Sequence, residues 1–554
     1  MNSNKRSIQM LLIPIVFAVG ISGGLFMGKY FFSNFTTPQE AKLHAILKMI
    51  DEEYVDEVDM DSLFEQFYPK LLSLLDPHSA YIPASELQAV NDDLEASFSG
   101  VGVSFQIIND TVNVIEVVAG GPSEKVGIQA GDKILRADTM ELTGKNATTE
   151  RVFKTLRGKK GSKVILEILR SSSAKPIKYE IVRGDVPVHS VDATYMLNDS
   201  VGYVKVSKFA RSTADEFHDA LTELSYKGAD KYVVDLRGNS GGFLDQAIRM
   251  AEEFLPQGTM IVYTKGKMPE YRSMAVASGN GDFVNKELVV LTDEYSASAS
   301  EVFAGAIQDN DRGLVIGRRT FGKGLVQIQN QLPDSSAIRL TIARYFTPSG
   351  RSIQKEYKEG NYDADISNRF AHGEFYNADS IKFDKSKIFT TLSGRTVYGG
   401  GGIMPDLFVP EDTTGLTSYY IQVSNAGHIR DYANIVASNY REVLKNTKTI
   451  AQFKKVLPRD NTLLEGFVNY AVGKGVPARW YYINKSRGLI LSQLKAIIAR
   501  DILGYDAFIE MLNEEDAVVD RALKALDSGE SPISIPGPSD KSQNKSLTKE
   551  KKKK

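Results

Sequence analysis

The sequence predicts a multi-domain α/β protein, and three observations carry that prediction. Residues 188–350 alternate apolar strands with helical stretches, the pattern of parallel crossovers. Residues 97–185 are β-rich, with apolar residues at period two. Residues beyond 416 keep a helical pattern to about Leu526 and give no strand signal. At 554 residues the chain has room for three or four domains.

Composition narrows the function classes. Lys plus Arg is 67 and Asp plus Glu is 69, a formal net charge of −2, which argues against a nucleic-acid surface as the main business. Hydrophobic residues make up 42%, enough for large cores, so global disorder is excluded. There is no Cys, which excludes disulfides, a cysteine nucleophile, thiolate metal sites and a lipid-bearing cysteine.

Taken in order, residues 1–9 read as a cytoplasmic N-terminus carrying Lys5 and Arg6. Residues 10–30 read as an apolar segment whose run Met10–Gly28 has no charge. At roughly 1.5 Å per residue that run spans about 28 Å, close to a bilayer core. Lys5 and Arg6 favour the N-terminus inside and the remainder outside. A transmembrane anchor is expected, with the globular part on the exported, periplasmic side of the cell membrane. The rival is a cleaved signal peptide with Ala18-Val19-Gly20 as a weak site. Residues 38–95 read as a small helical domain. Leu43, Ile46, Leu47 and Ile50 fall at helical spacing, and a second run ends at Asp76-Pro77.

In the β-rich unit, Val101, Val103, Phe105 and Ile107 alternate, then Val112 and Val114 follow the Asn109-Asp110 turn. A helix is expected over Thr149–Leu156 and strands over Lys163–Arg170 and Ile177–Val182. The α/β unit, 188–415, offers strands at Val201–Val206, Lys231–Leu236, Leu288–Leu291 and Leu314–Gly317. Helices are expected at Thr213–Leu224, Gln246–Leu255 and Ala299–Gln308. Residues 355–388 are polar and read as a surface insertion, followed by a short return strand at Asp406–Val409. Residues 416–528 form a helical region. Residues 529–554 hold Pro532, Pro536 and Pro538, then Lys551–Lys554, and read as a disordered basic tail.

Three segments compete to carry chemistry. Gly238-Asn239-Ser240-Gly241-Gly242 follows a strand and precedes a helix, the context of a nucleophile elbow. Ser240 would then need a downstream His, but His372 falls in the polar insertion and His428 near a helix start. The same glycines could instead offer backbone N–H groups to an oxyanion. Gly317–Gly324 nearly matches a phosphate loop, yet Gly324 stands where a hydroxyl is needed and a strand pattern follows. Ser296-Ala297-Ser298-Ala299-Ser300-Glu301 fits a capping box, with Ser298 as N-cap and Glu301 three residues on. Alternatively, a serine at a helix N-terminus is placed where the dipole favours a developing negative charge. His44, His78, His189 and His218 sit in helices or at a junction, poorly placed as its base. Lys323, flanked by Gly322 and Gly324, is the other candidate base if burial lowers its pKa.

Asp235-Leu236-Arg237-Gly238-Asn239-Ser240-Gly241-Gly242, then Ser296–Glu301, then Thr320-Phe321-Gly322-Lys323-Gly324-Leu325-Val326-Gln327 resemble the C-terminal processing peptidases, also called tail-specific proteases. Leu75-Asp76-Pro77-His78-Ser79 and Gly399–Pro405 are also similar to family segments, so the resemblance covers about residues 38–415. It implies a serine endopeptidase with Ser298 as nucleophile, Lys323 as general base and Gln327 orienting the lysine. The oxyanion would be held by the Ala299 N–H and by an N–H of Gly241 or Gly242. The β-rich unit would be a PDZ domain whose Gly100-Val101-Gly102-Val103 loop binds a C-terminal carboxylate, with the next strand pairing the peptide. Protein substrates bound through their C-termini are the expected partners, and no metal or organic cofactor is expected. Helical ends of this family often serve in assembly, so a homo-oligomer through 416–526 is a further expectation. Two rivals stay open: a Ser-His-Asp hydrolase using Ser240, and a non-catalytic PDZ peptide-binding protein of the same fold.

Overall fold

The computed structural model describes residues 37–534 apart from 95–96, 109, 119, 130, 171–172, 174, 188, 358–361, 363 and 445. The expected anchor Met10–Gly28 and most of the basic tail lie outside the described residues. No helix among the described residues is long and apolar enough to cross a membrane. The chain divides into two compact units, Met1–Leu75 and Asp76–Lys554.

The first unit contributes helices α1 (Pro38–Glu53) and α2 (Met60–Ser73). Thr37 caps α1 in a full capping box with Glu40, and Pro38 occupies the first turn, where its missing N–H is harmless.

The second unit opens with strand β1 (Ala80–Ile82) and helix α3 (Ala84–Leu94). A β-domain follows: β2 (Val103–Ile108), β3 (Thr111–Val117), β4 (Lys133–Ala137), helix α4 (Thr149–Leu156), β5 (Lys163–Leu169) and β6 (Ile177–Val182). Its sheet runs β2-β3-β4-β5-β6, antiparallel throughout. Inward residues of alternate strand positions, Val112, Val114, Val164, Leu166 and Ile168, close its core against Val152 and Leu156 of α4. Ser97–Gly100 pairs Gly184–Pro187, so the chain enters and leaves this domain side by side.

The central sheet holds β7 (Val191–Met196), β8 (Val201–Val206), β9 (Lys231–Asp235), β10 (Glu287–Thr292), β11 (Leu314–Gly317) and β14 (Leu407–Phe408), in that spatial order. The β7–β8 pair is antiparallel and the others are parallel. The continuous apolar runs of β8, β9 and β10 follow from this: both faces are covered. Val204, Tyr232, Val234 and Val290 point to one face, against helices α5 (Thr213–Tyr226), α6 (Leu244–Glu252) and α7 (Ala299–Asp309). Tyr203, Val233, Val289, Leu291 and Ile316 point to the other.

The cover on that other face comes from the far end of the chain. Among eight helices between Ser418 and Asp527, the last two are α9 (Tyr505–Asn513) and α10 (Ala517–Asp527). Val518, Val519, Ala522, Ala525 and Leu526 of α10 pack on the sheet. Asp516, Asn513 and Asp506 bond Arg237, the Tyr195 hydroxyl and the Thr194 N–H. The last two helices therefore complete the central domain as a third layer, while the helices before them share a separate core.

Two strands outside those expected from the sequence build a second sheet: Met260–Gly266, and β13 (Ala337–Phe346). β12 (Leu325–Gln331) and β1 both pair with β13. The segment 355–388 departs from the expected surface insertion. It carries helix α8 (Asp365–Ala371), and Lys355, Arg369 and Glu374 are 6%, 4% and 4% exposed. Its charges are buried because they neutralise one another: Lys355 with Asp365, and Glu374 with both Arg369 and Arg319.

Candidate active site

The three sequence motifs converge on one cavity of about 390 Å³. Ser240, Gly241, Gly242, Ser298, Ala299, Lys323 and Gln327 all line it, with Phe209, Leu244, Val302 and Tyr345 among the apolar walls. Among the described residues no histidine lines it. His372 and His428, which the Ser240 reading would need, belong to the segment after α8 and to the helical region.

Ser298 sits where β10 has ended and α7 begins. Its backbone has φ +56° and ψ −113°, a conformation that a non-glycine residue adopts at a cost of about 1–3 kcal/mol. The neighbours over-determine it. The Glu301 carboxylate reaches back to the Ser298 N–H at 2.9 Å, and the Glu301 N–H donates to the Ser298 carbonyl at 2.9 Å. The Tyr345 hydroxyl contacts the Ser298 carbonyl at 3.0 Å. This is half of the capping box read from the sequence, but Glu301 does more than cap. The same carboxylate accepts the N–H groups of Gly322 and Lys323, at 2.7 and 2.8 Å, and the Thr320 hydroxyl at 2.6 Å. Glu301 is fully buried, and burial pushes its carboxyl up to about 7 despite these donors.

Lys323 stands just before β12. Burial lowers its pKa, and the nearby Arg339 cation adds to the effect, while Glu301 and Asp76 oppose it. The Tyr345 hydroxyl touches the Lys323 carbonyl as well as that of Ser298. Gln327, two turns of the strand pleat further on, donates its amide N–H to the His78 carbonyl at 2.6 Å. No donor among the described residues takes its amide oxygen. Asp76 shapes this wall by accepting from His78 N, Ser79 N, the Ser79 hydroxyl and Thr341.

The glycine loop is set by Asp235 and Arg237. Burial opposes ionisation of Asp235, yet Arg237 and Lys205 hold its carboxyl well below the usual range. Asp293 accepts the Gly238 N–H, and Asn239 is fully buried, donating to the Val206 carbonyl. A Cβ on Gly241 would lie 2.7 Å from the Ser298 Cβ, so only glycine lets this loop rest on the serine. A Cβ on Gly242 would lie 2.1 Å from the Phe209 carbonyl oxygen. The Gly241 N–H is occupied by the Asn239 side chain at 2.9 Å. The N–H groups of Gly242 and of Ala299, the first residue of α7, have no acceptor among the described residues. Tyr345 and Asp293 lie outside the sequence motifs, Asn239 is inside the glycine motif without a role of its own, and Glu301 carries a sequence signal only as a cap.

In the β-domain, β2 is an edge strand, and among the described residues it pairs with β3 alone. Gly102 has φ +79°, and the carbonyls of Val101 and Gly102 are taken by the N–H groups of Ser123 and Val118. Gly100 pairs with Gly184, and Val103 begins β2. Phe105 of β2 meets Phe153 of α4 edge-on at 5.2 Å, across the space between strand and helix.

Comparison with known proteins agrees with this architecture. Residues 200–365 match the model of peptidase family S41, residues 99–181 that of the PDZ domain, and residues 419–504 a family of unknown function, DUF8443. A carboxy-terminal-processing protease of Bartonella bacilliformis is 36% identical over 324 residues, 58% of this chain and 73% of that protein. The carboxy-terminal processing protease CtpA of Bacillus subtilis is 28% identical over 435 residues, 76% of this chain and 88% of that protein. Among solved structures, a photosystem II D1 C-terminal processing protease is 28% identical, with a TM-score of 0.32, over 58% of this chain and 91% of that one. The chain belongs to peptidase family S41 and is a serine peptidase of the carboxy-terminal-processing kind.

Proposed function

We propose that the protein is an exported endopeptidase that captures substrates by their C-termini and cleaves them with a Ser298–Lys323 dyad. The observation that carries the reading is the shared carboxylate of Glu301, which binds the backbone of both residues at the edge of a cavity that no described histidine lines. Lys323 as the neutral amine takes the proton of the Ser298 hydroxyl while its oxygen attacks the scissile carbonyl. The N–H groups of Ala299 and Gly242 receive the oxyanion, with Gly241 seating the loop against the serine. The lysine then returns the proton to the leaving amine, and water hydrolyses the acyl-enzyme by the same route. Gln327 orients the amine through its untaken amide oxygen.

The free edge of β2, beside the Gly100–Val103 loop, supports capture of a peptide strand with its carboxylate at the loop. Lys5, Arg6 and the uncharged run Met10–Gly28 support export, with that run as the anchor. A fluorophosphonate probe tests the dyad. It should label wild type and the Ser240→Ala variant, and fail on Ser298→Ala. Labelling that survives in Ser298→Ala and disappears in Ser240→Ala would replace the dyad with the Ser240 elbow.

A further inference from the structure

The loop 319–324, which presents Lys323, is held from outside by a segment that carries no catalytic motif. Arg369 of α8 donates to the carbonyls of Thr320 and Arg319, at 3.0 and 2.6 Å. Its Nε donates to Glu374 at 2.8 Å, and Glu374 also takes the Arg319 guanidinium through two contacts of 2.7 Å. The Lys355 ammonium lies 3.6 Å from the ring centre of Phe321 and 4.2 Å from that of Tyr362. The Lys355 N–H donates to the Gly322 carbonyl at 2.9 Å, and Gln354 accepts the Gly324 N–H at 2.8 Å. Arg319, Thr320, Phe321, Gly322 and Gly324 are thus each gripped by Gln354, Lys355, Arg369 or Glu374. Among the described residues of the segment, none of these contacts reaches Lys323. Its N–H goes to Glu301 and its side chain to the cavity.

We propose that Gln354, Lys355, Arg369 and Glu374 form a clamp for the base-bearing loop, with Arg369 as its central positioning residue. The inference rests on the reading of Lys323 as general base. The physics favours geometry over stability as the reason for these contacts. Burying several charges brings little net stabilisation even when they are paired, because desolvation offsets attraction. The planar guanidinium, in contrast, holds two successive carbonyls in one rigid fork, whereas an ammonium on a flexible stem has no fixed geometry between its donors. An amine that must meet a hydroxyl in line is sensitive to placement, and a shift of about 1 Å can lower a rate about 10²-fold.

The test measures kcat and KM on fluorescein-casein, and fluorophosphonate labelling, for Arg369→Ala, Arg369→Lys, Lys355→Met, Lys385→Ala and Lys323→Ala, each below its melting temperature. Arg369→Ala should lower kcat about 10²-fold with KM unchanged. Arg369→Lys should recover little of that loss. Millimolar guanidinium should restore part of the Arg369→Ala rate, which a general loss of stability would not allow. Lys355→Met should give a smaller loss of the same kind, and it serves if Arg369→Ala does not fold. Exposed Lys385→Ala should match wild type. Folded Arg369→Ala or Lys355→Met with wild-type kcat, or a loss confined to KM, would overturn the clamp. Full activity in Lys323→Ala would instead defeat the general-base reading, so the two failures are separable.

Discussion

The main chains of Ser298 and Lys323, 25 residues apart in sequence, are bridged twice. Glu301 accepts the N–H of each, at 2.9 and 2.8 Å, and the Tyr345 hydroxyl touches the carbonyl of each. The two residues are therefore registered through the backbone, independently of any contact between their side chains.

Ser298→Ala should cost on the order of 10⁶ in kcat and leave the fold intact. The strained backbone at φ +56° adds a sharper test. Ser298→Gly should be equally inactive but more stable than Ser298→Ala, by about 1 kcal/mol or more, because glycine adopts this conformation freely. Denaturant melts of the two variants decide it. Alanine melting at or above glycine would show that the site is unstrained.

Lys323→Arg keeps a cation of similar length but cannot accept a proton at ordinary pH. It should be as inactive as Lys323→Ala. In wild type, kcat/KM should rise with pH through a lysine pKa below its usual value, because burial and Arg339 lower it and only the free amine works. Arg339→Gln removes the neighbouring cation and should move that rise to higher pH. A profile that ignores Arg339 would remove it from the tuning of Lys323.

Tyr345→Phe deletes one bridge and nothing else. The Lys323 carbonyl loses its hydroxyl partner, while that of Ser298 keeps the N–H groups of Glu301 and Val302, so a destabilisation of about 1–3 kcal/mol is expected, together with a fall in kcat. Urea unfolding and casein turnover measure the two effects separately. Loss of stability with wild-type kcat would limit the hydroxyl to the fold.

Glu301 gives a pH signature. Its carboxyl is raised to about 7, above its unfolded value, so between about 4.5 and 7 the folded state binds more protons than the unfolded state. Its contribution to stability therefore falls as pH rises through that window. The difference in unfolding free energy between wild type and Glu301→Gln should shrink from pH 5 to pH 7.5. A constant difference, from denaturant titrations at both values, would place the Glu301 pKa outside the window.

The C-terminal capture reading predicts that a peptide ending in a free carboxylate binds and is cut better than its amide. Deleting residues 97–185 should erase that preference while fluorophosphonate still labels Ser298. Equal handling of acid and amide by the intact enzyme would defeat carboxylate recognition at Gly100–Val103.

Local sequence determined a good deal of this protein. The apolar runs of β8, β9 and β10 specify buried parallel strands because both of their faces are covered. The alternation around Val112 and Val164 specifies a one-sided sheet. Ser298, Lys323 and the glycines were legible because a turn, a helix start and a close backbone approach each demand particular residue types within a few positions. Glu301 was legible only as a cap, since its partners at 320, 322 and 323 lie beyond the reach of any local motif. The strand Ala337–Phe346 alternates apolar and polar residues only over Ile338–Ile342, and Tyr345, beyond that stretch, carries no local signal of its contact with the site. The polar run 355–388 looked like a solvated insertion because polarity in sequence does not say whether charges are paired. Only the tertiary structure could decide that Arg369, Glu374 and Lys355 are buried against the base-bearing loop. It likewise decided that α10, some 200 residues beyond β11, closes the second face of the central sheet. Short-range sterics and hydrogen bonding are written into neighbouring residues, whereas the burial of a charge or a helix face depends on what the whole chain brings against it.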